Sequence, residues 1–377
     1  MVVDSQERVS KIFKYVDESE RMKVKPDAII LANGIEPHLD ASFFYVTGFP
    51  YGLFEGSYLF AERDGNISLV TSPLEESIAR GHAQKNVEVF AETETESIRS
   101  RLGSLVRGRK QLTLGLNAPE LNYKSLLFIK SVFKNSRLVD SSEAFELARL
   151  IKDETEVRAI QKACDIASLT FAKIPPVLTG GTSESNVAAE IAYEMQKLGG
   201  SAVSFETIVA FGKNSAEPHY SAGSAKLKRG QFVLCDYGTK FQRYCSDITR
   251  TLVFGGGSKK HKRMYEIVRE ALTLGTELCT PENTGDYVNS KVTEVVNSTE
   301  YKGRFIHSTG HSLGLAVHDG IGLSKRNKET LRPGMVLTVE PGIYVPEFGG
   351  VRIEDDVLIT KNKPKVLTSA NRELIEV

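Results

Sequence analysis

The sequence predicts a chain in two parts: a mixed-sheet α/β domain over residues 1–145, then an α+β domain over 146–377 built from a duplicated half. Its 377 residues exceed one typical domain. The first part alternates short apolar runs with amphipathic stretches, the pattern of a sheet covered by helices. The second part replaces that pattern with long helices and paired strands that recur after a fixed interval.

In the first part an amphipathic opening precedes the apolar run Ala28–Ala32, expected as a strand. Tyr58–Ala61 and Ile67–Thr71 flank Arg63-Asp64-Gly65-Asn66 and read as a hairpin. A helix is expected after Pro73, a strand over Val87–Phe90, a helix from Glu92 to Val106, a strand over Leu112–Leu116 and a helix after Pro119. His38 and His82 stand alone and suggest no chemistry.

In the second part Val157, Ile160, Cys164, Ala167 and Phe171 fall at steps of three and four, one face of a helix that closes at Pro175-Pro176. Met264, Ile267, Ala271, Leu274 and Leu278 repeat that spacing before Pro281, starting 107 residues further on. Each is followed by a Thr/Gly-containing turn and a second helix, around Val187–Leu198 and Tyr287–Val296. The repeat also relates acids. Phe232–Asp236 and Tyr244–Phe254, expected as strands, carry Asp236 and Asp247; Val336–Glu340 and Val351–Ile359 carry Glu340 and Glu354, at offsets of 104 and 107. Halves packed face to face about a pseudo-two-fold axis bring these four carboxylates together.

Composition narrows the function classes. The 48 Lys+Arg cancel the 48 Asp+Glu and no long basic run occurs, so no nucleic-acid partner is expected. With 41% hydrophobic residues and no stretch of membrane-spanning length, a soluble chain is expected. The first thirty residues are charged and lack the apolar centre of a signal peptide, which points to the cytoplasm. Cys164, Cys235, Cys245 and Cys279 form no Cys-x-x-Cys pair and read as free, buried thiols.

The acids carry the chemistry. A hairpin centred between Phe241 and Gln242 sets Asp236 directly opposite Asp247, where like charges destabilise a sheet. Solvated acids on an exposed edge are the alternative, but Val233, Leu234, Ile248, Thr251 and Leu252 look like core strands. Glu354 stands two residues beyond Arg352, on the same strand face. Buried carboxylates need partners, and one arginine does not balance four acids. His307, His311 and His318 stand close together; Gly310 and Gly314 argue for strand and turn rather than a helix with an i,i+4 ligand pair. His261 lies in the basic run Lys259-Lys260-His261-Lys262-Arg263 and is expected to be solvated. Four carboxylates with one imidazole match the charge of two divalent cations, and an oxygen-rich set suits Mn²⁺, Co²⁺, Fe²⁺ or a catalytic Zn²⁺ pair. Two such cations suggest hydrolysis.

The runs LCDYG…YCSDITRT, HSTGHSLGLAVHD and MVLTVEPGIYVPEFGGVRIEDDVLIT resemble the creatinase/aminopeptidase P/prolidase family of "pita-bread" metallopeptidases over about residues 150–377. Ser42–Phe49 resembles that family's N-terminal domain. The resemblance implies that Asp236 binds the first metal, that Asp247 and Glu354 bridge, and that His311 and Glu340 bind the second. It implies further that a hydroxide held between the metals attacks the scissile carbonyl while Glu340 shuttles the proton. His219 and His318 match histidines that hold substrate and stabilise the oxyanion, His307 one near the proline side, and Arg352 an arginine that orients the acids. A homodimer is also implied. A metal-free creatine-type hydrolase is disfavoured because every ligand is present, and methionine aminopeptidases generally lack the leading domain.

The resemblance implies a dinuclear exopeptidase cleaving the bond before proline in small peptides. The position that carries an arginine for the substrate carboxylate in several prolidases of the family is Gly322 here, with Lys325 and Arg326 nearby as substitutes. The reading therefore leans to a Xaa-Pro aminopeptidase, with a Xaa-Pro dipeptidase as the alternative. A non-catalytic peptide-binding module is the competing class.

Overall fold

The computed structural model describes residues 3–109 and 111–377. Two compact units divide at Arg149 and Leu150, a few residues past the boundary expected at 145.

In the first unit helix α1 (Ser5–Glu18) starts on Asp4, whose side chain accepts the Glu7 N–H, and buries Val9, Ile12, Phe13 and Val16. Strands β1 (Ala28–Ala32), β2 (Tyr58–Glu62), β3 (Ile67–Thr71), β4 (Val87–Ala91), β5 (Thr113–Leu116) and β6 (Arg137–Asp140) form one sheet in the order β4-β3-β2-β1-β5-β6. β2 runs antiparallel to β1 and β3, and the remaining pairs are parallel, which is the mixed sheet expected. Helices α2 (Ala41–Thr47), α3 (Pro73–His82), α4 (Ile98–Leu105) and α5 (Tyr123–Val132) pack on it, and α6 (Ser142–Leu150) follows β6. The helix expected from Glu92 begins only at Ile98. β4 extends to Ala91, the Glu92 N–H still donates to Thr71 O, and the Ser97 hydroxyl caps the later start by accepting the Ser100 N–H.

In the second unit α7 (Glu154–Phe171) opens with a reciprocal capping box between Asp153 and Glu156 and is followed by the single turn α8 (Ile174–Val177). Helix α7 packs on α9 (Glu184–Lys197), and α10 (Lys259–Glu277) packs on α11 (Gly285–Asn297), so the two helix pairs repeat as the periodicity predicts. The strands follow the same repeat. β8 (Ile208–Phe211), β9 (Gln231–Tyr237) and β12 (Ile248–Phe254) form one sheet, and β7 (Ala202–Val203), β10 (Thr239–Phe241) and β11 (Tyr244–Cys245) a smaller one beside it. In the second half β13 (Val336–Val339), β16 (Asp355–Leu358) and β17 (Lys365–Val366) form one sheet, and β14 (Gly342–Val345) pairs with β15 (Gly349–Arg352).

Two expected details differ. Val351–Ile359 is not one strand: it breaks at Ile353-Glu354, so that β15 pairs with β14 while β16 pairs with β13. The matching break in the facing strand falls at Glu340-Pro341, where proline has no N–H to continue a ladder. Asp236 and Asp247 do not stand opposite each other. The turn is Gln242-Arg243, both at positive φ (47° and 72°), a geometry that suits the twist of a two-residue hairpin. It sets Lys240 against Cys245 and Asp236 against Thr249. Asp247, two residues before Thr249, still falls on Asp236's side of the pleat.

The halves are stitched by Arg250 on β12, which is 1% exposed. Its guanidinium donates to Thr249 O at 2.9 Å, Glu354 O at 2.5 Å, Asp355 Oδ1 at 2.8 Å and Ala370 O at 2.8 Å. Such a buried charge is tolerable because every donor is answered.

His261 is not solvated. It is buried at the start of α10, shares a capping box with Ser258, stacks on Phe348 with ring centroids 4.9 Å apart and meets the Phe232 ring edge-on at 4.5 Å. Burial lowers its pKa, with Lys260 adding to the shift, so the ring is a neutral core group. His261→Ala is expected to destabilise the second unit by about 1–3 kcal/mol through the lost cap and packing. Denaturation monitored by circular dichroism checks this, with hydrolytic activity per folded molecule unchanged.

Candidate active site

The breaks in the strands are where the acids stand. Asp236 is near the end of β9, Asp247 just ahead of β12, Glu340 just past β13 and Glu354 just ahead of β16. Asp236, Asp247 and Glu354 are buried and Glu340 half-buried. With His219, His307, His311, His318 and Arg352 they line one cavity of about 660 Å³, so all nine residues singled out in the sequence meet there.

His311 reaches the acids by way of Gly310. A Cβ at Gly310 would run into the Thr338 carbonyl oxygen, so the bare backbone lets this loop lie directly on β13. The Thr338 N–H donates to His311 O at 2.8 Å, and the His311 N–H donates to Thr338 Oγ1 at 3.0 Å. His311 Nδ1–H donates to Ser312 O at 3.3 Å, which leaves the Nε2 lone pair facing the carboxylates. Nε2 stands 3.6 Å from Asp247 Oδ2 and 3.6 Å from Glu340 Oε1, too long for hydrogen bonds. These are not ion pairs either, because burial lowers the His311 pKa and the ring is neutral.

Among the described residues Arg352 is the one guanidinium in the cavity wall, and each of its three nitrogens makes a hydrogen bond. Nη2 donates to Asp236 Oδ2 at 2.6 Å, Nε to Thr249 Oγ1 at 3.1 Å, and Nη1 to Tyr344 OH at 2.8 Å. Thr249 Oγ1 in turn donates to Glu354 Oε2 at 2.6 Å. His307 Nδ1–H donates to Ser308 O at 2.8 Å, so Nε2 accepts from the Tyr344 hydroxyl, also at 2.8 Å. A directed chain thus runs from Arg352 through Tyr344 to His307. Thr249, Thr338 and Tyr344 were not singled out in the sequence. Their hydroxyls are common residue types, and Thr249 meets its partners across more than 100 positions.

The charges conflict. Burial and then Glu354 push the Asp247 carboxyl well above the usual range, burial and then Glu340 do the same to Glu354, and burial raises Glu340. Asp236 Oδ1 and Asp247 Oδ1 are buried with no hydrogen-bond partner among the described residues. One ligand atom each from Asp247, His311 and Glu354 lies within 4.8 Å of the others; Asp236 and Glu340 are not in that set but line the same cavity. Orphaned carboxylate oxygens and a bare imidazole nitrogen lining one cavity fit a divalent cation.

The chain matches the model of metallopeptidase family M24 over residues 158–361, and that of the creatinase/prolidase N-terminal domain over residues 21–151. The chain belongs to metallopeptidase family M24. A relative from Pyrococcus horikoshii named Xaa-Pro dipeptidase is 34% identical over 369 residues, 98% of this chain and 99% of the relative. Among solved structures, a Xaa-Pro dipeptidase from Bacillus anthracis superposes with a TM-score of 0.89 at 32% identity, covering 99% of this chain and 100% of that one. An X-Pro aminopeptidase from Thermotoga maritima superposes at 0.87 and 30% identity, covering 93% and 98%. This M24 chain therefore has the pita-bread fold, and the M24 family uses divalent metals. Among the described residues no helix is long and apolar enough to cross a membrane.

A divalent metal held at this candidate site would stabilise the folded state. Chelator-treated protein is expected to gain about 4 kcal/mol when Mn²⁺ or Co²⁺ is supplied at a thousandfold over its dissociation constant. Glu354→Gln with His311→Ala should abolish most of that gain, read as the metal-dependent shift in melting temperature.

Proposed function

We propose that this M24 peptidase is a Xaa-Pro dipeptidase that works with two divalent cations. The observation that carries the reading is the convergence of Asp236, Asp247, His311, Glu340 and Glu354 in one cavity of a chain that matches Xaa-Pro dipeptidases end to end. Asp236, Asp247 and Glu354 would hold one cation, and Asp247, Glu354, His311 and Glu340 the other. When bound, the cations supply Lewis acidity toward the scissile carbonyl and toward water.

The protein's own groups supply the rest. Glu340, whose proton affinity is raised by burial, takes the proton of the attacking water and returns it to the leaving amine. His318 is neutral because burial lowers its pKa, so its ring offers an N–H to a developing oxyanion. His219 lines the same cavity as a substrate contact. His307 lines the proline side, its tautomer set by Ser308 and Tyr344. Arg352 holds Asp236 in place and is a positioning residue. A second subunit and a cytoplasmic location belong to this reading as well.

One observation favours the aminopeptidase reading as a second possibility. A Cβ at Gly322 would run into the Gly310 carbonyl oxygen and lie 2.8 Å from His311 Cα, so in this loop conformation no arginine fits there. Lys325 lines a separate groove with Asp286 and Asn289 and Arg326 is not in the cavity lining, so neither stands in for that arginine. The free carboxylate of a dipeptide would meet imidazole N–H groups instead of a guanidinium.

The ratio of kcat/KM for a Xaa-Pro dipeptide to that for its C-terminally amidated form tests the proposal, with metal loading matched. A clear preference for the free dipeptide is expected. Equal or better cleavage of the amidated peptide overturns it in favour of an aminopeptidase, and no cleavage of either favours a binding module. Glu340→Gln should lower kcat by about 10²–10⁴-fold on whichever substrate is cut.

A further inference from the structure

We propose that Glu184 is a positioning residue: its buried carboxylate clamps the segment from Gly212 to Gly223 and so sets where His219 stands in the cavity wall. The inference rests on the reading of His219 as a substrate contact. Glu184 opens α9 and is fully buried. Its Oε1 accepts from the Phe211 N–H at 2.8 Å and from Asn214 Nδ2 at 2.9 Å. Its Oε2 accepts from the Tyr220 hydroxyl at 2.9 Å and from the Gly223 N–H at 3.2 Å. One side chain therefore holds both ends of the segment. No cation is among these four partners; the donors and the N-terminus of α9 hold the charge.

Two further ties complete the clamp. The Ser185 N–H donates to Gly223 O at 3.0 Å, and on the cavity side Arg352 Nη1 donates to Pro218 O at 3.4 Å. His219 stands between these anchors. It is exposed, and among the described residues its ring has no hydrogen bond within the protein, so its place follows from its backbone. Tyr220, the next residue, is pushed up to about 12 by burial and then by its bond to Glu184, and so stays a donor.

Glu184→Gln keeps the shape but replaces one accepting oxygen with an NH₂ group, which must face a donor on one side or the other. Hydrogen–deuterium exchange and steady-state kinetics on metal-loaded protein test the clamp, comparing the parent with Glu184→Gln, His219→Ala and the double variant. Exchange should rise over 212–223 and stay constant over 336–358, with metal content unchanged. On the peptide the parent cuts best, kcat/KM should fall about 10–100-fold, mainly through KM. The double variant should be no worse than His219→Ala alone, because both changes act on one contact. Parent-like exchange over 212–223, or losses that multiply in the double variant, overturns the proposal. Parent-level activity in His219→Ala would instead remove the reading of His219, and the exchange measurement then decides the clamp by itself. Should Glu184→Gln fail to fold, Asn214→Ala removes one donor away from the cavity; a smaller rise in the same segment supports the clamp, and none overturns it.

Discussion

Asp236, Asp247, Glu340 and Glu354 share one cavity in which, among the described residues, the single guanidinium is already bonded on all three nitrogens, and the rest of the catalytic unit is arranged around that crowding. Desolvation and mutual repulsion both disfavour the charged forms, so Asp247, Glu340 and Glu354 all hold protons more tightly than free carboxyls do. A folded protein relieves such a conflict by protonation or by a cation. Asp236 and Asp247, each with an oxygen unpartnered among the described residues, line the same cavity as His311 with its bare Nε2, and such a donor set suits a cation.

The fold gathers the acids by interrupting its strands. A carboxylate in mid-strand competes with the neighbours stacked on its face, whereas one at a break points past the ladder's end. Asp247, Glu340 and Glu354 stand at such breaks and Asp236 next to one. Hydroxyls and backbone then fix each acid's direction. Thr249 orients Glu354 and receives Arg352, and Asp356 Oδ2 accepts the Asp247 N–H at 3.0 Å. Asp356 is itself pushed up to about 7 by burial, another sign of how much acid the second half has taken out of water. Arg250 closes the arrangement by tying β12 to the chain around Glu354 and Asp355.

Much of this was legible in the sequence because periodicity survives folding. The apolar steps in α7 and α10, the mixed sheet and the repeat of the acids all depend on spacing within one element or between copies of it. Register was less legible. The Gln242-Arg243 turn carries neither Asn nor Gly, so its positive φ angles left no mark and the pairing of Asp236 was displaced. His261 was misread because its basic neighbours suggested water, while Phe232 and Phe348 come from distant strands and enclose it. Glu184 and Tyr344 escaped for the same reason: their partners are set by tertiary contact and by no local pattern. The dipeptidase and aminopeptidase readings divide on the Gly322 loop, where the lean drawn from the sequence is outweighed by full-length likeness to dipeptidases.

The central claim is that the carboxylate cluster is a divalent-cation site. Anomalous diffraction from crystals grown with Mn²⁺, collected above and below the manganese absorption edge, tests it most directly. Two peaks flanked by Asp247 and Glu354 are expected, one beside Asp236 and the other beside His311 and Glu340. A well-ordered cavity with no anomalous peak, or peaks only at surface acids, would contradict it.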